Sequence, residues 1–204
     1  DVLDRFGVDT IELGRAFATD DGDWSDWELP DGTPCQMPAW AAPERDGERW
    51  VLRSSRSGRV IAQMPDGSLY FEQTFYPFAD GEVNLDALSE AMSEAMWTAV
   101  PSPPGPLVAG VGGDDRLRKG AEALRRQTDR AIIGVFGGNL LEIGQFLYRN
   151  DNFFMLLAGA PREAHAFLDR LVEMHLAALE TFLEAVGDAI DVIVFGDDLG
   201  MQSG

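Results

Sequence analysis

The stretch Ala189-Ile190-Asp191-Val192-Ile193-Val194-Phe195-Gly196-Asp197-Asp198-Leu199-Gly200 decides the fold class. From Ala189 to Phe195 it is apolar except for Asp191, the pattern of a strand covered on both faces in a parallel sheet. Gly196 then lets the backbone turn, and two acids follow. In parallel α/β folds the functional groups gather where strands end and loops begin, so Asp197 and Asp198 lead the candidates for chemistry. Capping of a following helix is the competing role for either acid alone. Successive side chains on a strand point to opposite faces. Asp197 is therefore expected to face a ligand in a barrel mouth and Asp198 to turn toward the helix layer and orient the loop or a neighbour, with Gln202 as a further polar contact.

Working outward, the residues before this strand form the longest helical pattern, Pro161 to Val186. Pro161 sits in its first turn, apolar residues recur from Ala164 through Phe167, Leu171, Leu179 and Phe182, and Gly187 is its stop. Upstream again, Ala131 to Phe136 is a β-branched and apolar run leading into Gly137-Gly138-Asn139, and Leu140 to Tyr148 resumes helical spacing. Two further helices are predicted, one capped by Asn84 and ended by the Pro101 to Pro106 stretch, the other starting at Asp114 or Asp115 with a Glu122-Arg126 pair. Val8 to Leu13 reads as another buried strand after a short helical approach at Val2 to Phe6. Strands alternating with helices imply parallel pairing through right-handed crossovers.

Between the first strand and the first of these helices the pattern changes. Asp20 to Pro43 is rich in Asp, Pro, Gly and Trp without a sustained period, and reads as an excursion loop anchored by Trp24, Trp27 and Trp40. Arg49 to Ser54, Arg59 to Met64 and Ser68 to Glu72 alternate in polarity, with turns at Ser57-Gly58 and Pro65-Asp66-Gly67, which predicts a three-stranded meander. The expected organisation is one partial barrel domain over residues 1–204, with residues 20–75 as an inserted loop and meander.

Composition narrows the function classes. A net charge of -19, from 35 acidic and 16 basic residues, opposes contact with phosphate backbones, so nucleic acid is not an expected partner. No apolar run approaches the roughly 18 residues needed to span a bilayer, so no membrane partner is expected. Cys35 is the single cysteine, which leaves no disulfide framework and suits a cytoplasmic, reducing location. The chain opens on Asp1 and stops at Gly204 just after a strand-to-loop transition, which reads as an internal piece of a longer protein.

Two more features bear on chemistry. Gly137-Gly138-Asn139 lets a ligand approach the backbone and leads into a helix N-terminus that presents N–H groups to an anion, although it is not a G-x-G-x-x-G fingerprint. His165 and His175 lie roughly 80° out of alignment at about 100° per residue on one helix, which makes them poor co-ligands. They read as surface or satisfied core histidines, and no metal ligands are assigned among these residues.

The order of segments, Phe6-Gly7-Val8-Asp9, then Phe136-Gly137-Gly138, then a long helix, then Asp191 through Gln202, resembles the uroporphyrinogen decarboxylase superfamily. The resemblance implies an α/β fold of the partial (β/α)8 TIM barrel type, with Val8, Ala131 and Ala189 opening about strands two to four. That superfamily includes the heme-pathway decarboxylase and corrinoid-linked methyltransferases. For the decarboxylase, the resemblance puts the essential aspartate near Ala16, with Asp20 the nearest later acid. It puts the substrate-contacting tyrosine at Phe146, which lacks the hydroxyl, and the acid-then-hydroxyl step at Gly196-Asp197. These departures favour the methyltransferase-related branch, which the Asp-Asp-Leu-Gly-x-Gln ending also resembles.

The expected activity is corrinoid-linked methyl transfer to a thiol or similar acceptor. Porphyrinogen decarboxylation and a non-catalytic ligand-binding subunit are the alternatives. Asp197 and Asp198 are the expected catalytic residues, and Gly137, Gly138, Asn139, Phe146 and Gln202 the expected contacts to a small-molecule substrate. The resemblance implies a corrinoid protein and its cobamide as partners and a zinc ion whose His and Cys ligands would fall beyond Gly204. No cofactor is assigned within these residues.

Overall fold

The computed structural model describes residues 2–13, 22, 24–39, 41–54, 56–80, 83–95 and 113–197. The chain begins with helix α1 (Val2–Arg5) and strand β1 (Thr10–Glu12). Six strands follow: β2 (Trp24–Glu28), β3 (Pro34–Pro38), β4 (Glu44–Asp46), β5 (Arg49–Arg53), β6 (Val60–Pro65) and β7 (Glu72–Gln73). A 3-10 turn at Leu85–Ala87 opens α2 (Leu88–Glu94), and α3 (Gly113–Gln127) leads to β8 (Ala131–Gly137). Helices α4 (Leu141–Tyr148), α5 (Asn150–Gly159) and α6 (Pro161–Val186) then precede β9 (Val192–Phe195). Among the described residues the chain is mixed α/β, with one parallel sheet and two antiparallel ones.

The chain divides into two compact units. The first comprises Asp1–Asp21, Pro101–Asn139 and Glu173–Gly204, and the second Gly22–Val100 and Leu140–Val172. The second unit therefore runs past the expected insertion at residues 20–75 and takes in α4, α5 and the opening turns of α6.

In the first unit the strands lie in the order β1-β8-β9, all parallel, with Ile11 opposite Ile132 and Ile133 opposite Val192. Side chains alternate across the sheet. Ile132 and Phe136 face one way, into a core shared with Leu117, Ala121 and Leu124 of α3 and Phe182, Ala185 and Val186 of α6. Gly134 permits that close approach, since a Cβ there would sit 3.0 Å from Ile190 and 3.2 Å from the Phe182 ring. The opposite face carries Val135, Val192 and Val194, which are 41%, 45% and 38% exposed. Burial is thus one-sided, where the apolar run predicted cover on both faces. Among the described residues the parallel sheet has these three strands and is not closed into a barrel.

The one acid in the final strand's apolar run, Asp191, pins the amino end of this sheet. Its carboxylate accepts from the Ile132 N–H at 2.8 Å and pairs with Arg125, whose guanidinium also donates to the Ala189 carbonyl at 3.0 and 3.1 Å. The Ile132 N–H first, and then Arg125, hold the Asp191 carboxyl below its ordinary value of 3.8. A depressed carboxylate adds stability that is present above its ordinary value and lost as pH falls through the folded one. Asp191→Asn is therefore expected to lower the unfolding midpoint at pH 7, and the gap to wild type should close as pH drops below 3.8. Urea melts across that range measure it; a gap that does not vary with pH would refute the assignment.

In the second unit β4-β5-β6-β7 form a four-stranded antiparallel sheet, one strand more than the predicted meander, and the last strand spans only Glu72–Gln73. Val51 and Leu52 are both buried, as are Ile61 and Ala62, so both faces of this sheet are covered. The predicted excursion loop contains a hairpin, β2 against β3, with Trp27 opposite Cys35. Trp27 and Met37 join Leu52, Ile61 and Ala62 in one core. The turn of that hairpin is Pro30-Asp31-Gly32, where the Gly32 N–H reaches the Leu29 carbonyl at 2.9 Å.

The helices of the second unit meet in an aromatic group. The Tyr148 ring lies 5.7 Å from Phe153 and 5.2 Å from each of Phe167 and Phe78. Burial pushes the Tyr148 phenol up to about 12. The folded form then holds its proton where the unfolded chain loses it, so this stabilising contribution is complete below the ordinary value of 10.0 and disappears as pH rises through about 12. Tyr148→Phe should flatten the loss of stability between those values, read from unfolding curves and from phenolate absorbance. An unchanged alkaline profile would contradict it.

Candidate functional site

The carboxyl edge of the parallel sheet is where β8 and β9 release the chain. A register shift between Val135 and Gly137 sets Gly137 opposite Phe195, and the Gly196 N–H donates to the Gly137 carbonyl at 2.9 Å. Gly137 and Gly138 are both left-handed, at φ 85 and 73. Residues with a Cβ pay for that region, which is why two glycines in succession turn the chain sharply off the strand toward Asn139. Space is short as well: a Cβ on Gly138 would lie 3.3 Å from the Phe136 ring and 3.4 Å from that of Phe195.

The turn is held by a residue that the sequence reading placed in the background. His175 occupies the buried face of α6, four residues after Leu171 and seven before Phe182, and is only 6% exposed. Its Nε2 lies 3.0 Å from the Asn139 carbonyl oxygen, and its ring meets Phe136 edge-on at 6.5 Å between centroids. A carbonyl only accepts, so Nε2 carries the proton and Nδ1 of the neutral ring is left as an acceptor. That Nδ1 is buried and has no hydrogen-bond partner among the described residues. An acceptor in that state costs about 1–3 kcal/mol. Burial pushes His175 below its ordinary value of 6.5, while the bond to Asn139 and the charge of Asp197 pull the other way.

Asp197 is half-buried and acts on His175 through space. Ile193 packs on the helix-side core and Phe195 meets the Phe136 ring at 5.7 Å, so the alternation on β9 carries Asp197 toward the same side. Of the expected division, in which Asp197 entered a barrel mouth and Asp198 turned to the helices, the Asp198 half lies outside the described residues. The phase is set by Ile193, whose apolar side chain takes the covered face.

Of the expected site residues, the structure brings together Gly137, Gly138, Asn139 and Asp197, and adds His175. Phe146 belongs to the second unit, where its backbone carbonyl accepts from the Gln73 amide at 2.7 Å. Asp198 and Gln202 lie outside the described residues, as do Ala16 and Asp20. The signal for His175 was available in its spacing: it continues the apolar stripe of α6 rather than interrupting it. A core position was one of the two readings offered for it, but a satisfied one, whereas Nδ1 has no partner among the described residues.

Among the described residues no three His, Cys, Asp or Glu side chains are grouped so as to hold a metal ion. Nor is any described helix long and apolar enough to cross a membrane. Comparison with protein-family models, with curated proteins and with solved structures finds no match for this chain.

Proposed function

We propose that the chain forms part of a uroporphyrinogen decarboxylase-like barrel enzyme whose carboxyl-edge site serves corrinoid-linked methyl transfer to a thiol or similar acceptor. The observation that carries the barrel reading is the one-sided cover of the parallel sheet. Strand order follows chain order, β1-β8-β9, and α3 and α6 pack into one core on one face. Right-handed crossovers that always step in the same direction leave all helices on one side, as in a barrel, whereas a doubly wound sheet reverses and is covered on both. The other face, with Val135, Val192 and Val194, then corresponds to a barrel interior, which branched apolar side chains fill.

The resemblance through Asp197-Asp198-Leu199-Gly200-Met201-Gln202 supports the methyltransferase branch. In this reading the glycine turn lets the substrate approach the backbone, Asp197 contacts it, and Asp198 and Gln202 support the loop. Zinc, which that branch uses to hold an acceptor thiol as thiolate, has no ligand set among the described residues.

The test is demethylation of a methylcobamide by a small thiol in the presence of the protein, followed by the cobamide spectrum. Wild type should turn over, and Asp197→Asn should lose on the order of a hundredfold in rate if the carboxylate positions the substrate. Absence of turnover by wild type overturns methyl transfer. Carbon dioxide release from uroporphyrinogen would instead support the decarboxylase branch, and turnover unchanged by Asp197→Asn would remove that residue from the chemistry.

A further inference from the structure

We infer that His175 is a positioning residue of the strand-end site, holding the Gly137-Gly138-Asn139 turn through its Nε2–H as the neutral tautomer. The inference rests on the carboxyl-edge site described above and names a group that neither the resemblance nor the strand-end pattern assigned.

Three independent features converge on this ring. It is 94% buried, from its 6% exposure, at a position where α6 otherwise presents apolar side chains. Its hydrogen bond among the described residues goes to the backbone of the turn rather than to a side chain, so it fixes where Asn139 leaves the sheet whatever side chains surround it. Its second nitrogen has no partner among the described residues, although a leucine or methionine would fill the same space without that cost.

The carbonyl that His175 holds follows Gly137 and Gly138, both left-handed, so the ring fixes the path of the backbone where β8 releases the chain at the strand-end site.

The experiment is nitrogen-15 NMR of the histidine ring in the wild-type protein, with no substrate present. The expected result is a protonated Nε2 and an unprotonated Nδ1 at neutral pH. His175→Gln keeps a donor for the Asn139 carbonyl and should preserve the amide shifts of Gly138 and Asn139, whereas His175→Leu should move them.

An Nδ1–H tautomer overturns the inference. So does equal disturbance of the turn by both His175 variants. Should His175→Leu fail to fold, the wild-type tautomer and the amide shifts of His175→Gln still decide. Because none of these readings uses a methyl donor, a negative turnover assay leaves them standing, and their failure leaves the turnover assay standing.

Discussion

Gly144→Ala should destabilise the second unit by about 3 kcal/mol or more, at or beyond the upper end for overpacked cores. Gly144 is buried on α4, and an added Cβ would meet Cζ, Cε1 and Cε2 of Phe153 on α5, all closer than 3.0 Å. The Phe153 ring has nowhere to go. It is fully buried, stacks on Tyr148, and meets Phe167 edge-on at 5.7 Å. Either that aromatic group comes apart or the two helices separate, and both outcomes lose apolar burial.

A double-mutant cycle sharpens the expectation. Leucine lacks the three ring atoms that clash, so in a Phe153→Leu background the same Gly144→Ala change should cost far less, with a coupling of about 1–3 kcal/mol of opposite sign to the single effects. Urea unfolding of the four proteins measures it. A Gly144→Ala protein as stable as wild type would show that α4 and α5 do not approach at this glycine.

That helix junction also shows where sequence reasoning stops. Leu141 to Gly159 carries no glycine or proline at the point where α4 gives way to α5; the break falls at Arg149, at φ 70. Nothing local announces a non-glycine residue in that region, which costs about 1–3 kcal/mol and persists only when the surroundings impose it. By contrast, α6 was legible from end to end, because Pro161 starts it, Gly187 stops it, and apolar residues recur along one face of its 26 residues with His175 among them. The hairpin of β2 and β3 was missed for a different reason. Trp24-Ser25-Asp26-Trp27-Glu28 does not alternate, since the two tryptophans stand three apart. The turn signal itself was there, as Pro30-Asp31-Gly32 repeats the composition of the Pro65-Asp66-Gly67 turn that was recognised.

The candidate site was legible in its backbone and less so in its side chains. Glycines at a strand end and an acid after the next strand are visible without coordinates. Whether a histidine in an apolar stripe is inert or poised depends on which of its nitrogens finds a partner, and that is a matter of packing.

Phe136→Ala joins the two levels, because Phe136 is both the centre of the first unit's core and the cover over His175. The residue is 1% exposed, with ring contacts to Phe182 and Phe195 at 5.7 Å each. Removing the ring should cost about 3–5 kcal/mol, as for other large-to-small changes in a packed core. The same change should also act on the histidine. Burial is the largest cause of its lowered pKa, so water entering beside the ring should let that value rise toward the ordinary 6.5.

The sign of the stability effect follows from linkage. A histidine held below its ordinary value contributes stability that is present above pH 6.5 and lost as pH falls through the folded value. In Phe136→Ala that acid-side loss should be shallower, even though the protein is less stable throughout. Phe136→Leu keeps most of the cover and should shift the titration less. Ring titration by NMR and unfolding curves at pH 5.5 and 7.5 read the two effects separately, at roughly one unit either side of the ordinary histidine range. If Phe136→Ala loses stability while His175 titrates where it did before, burial beneath Phe136 is not what keeps the imidazole neutral, and that role passes to the rest of the α6 interface.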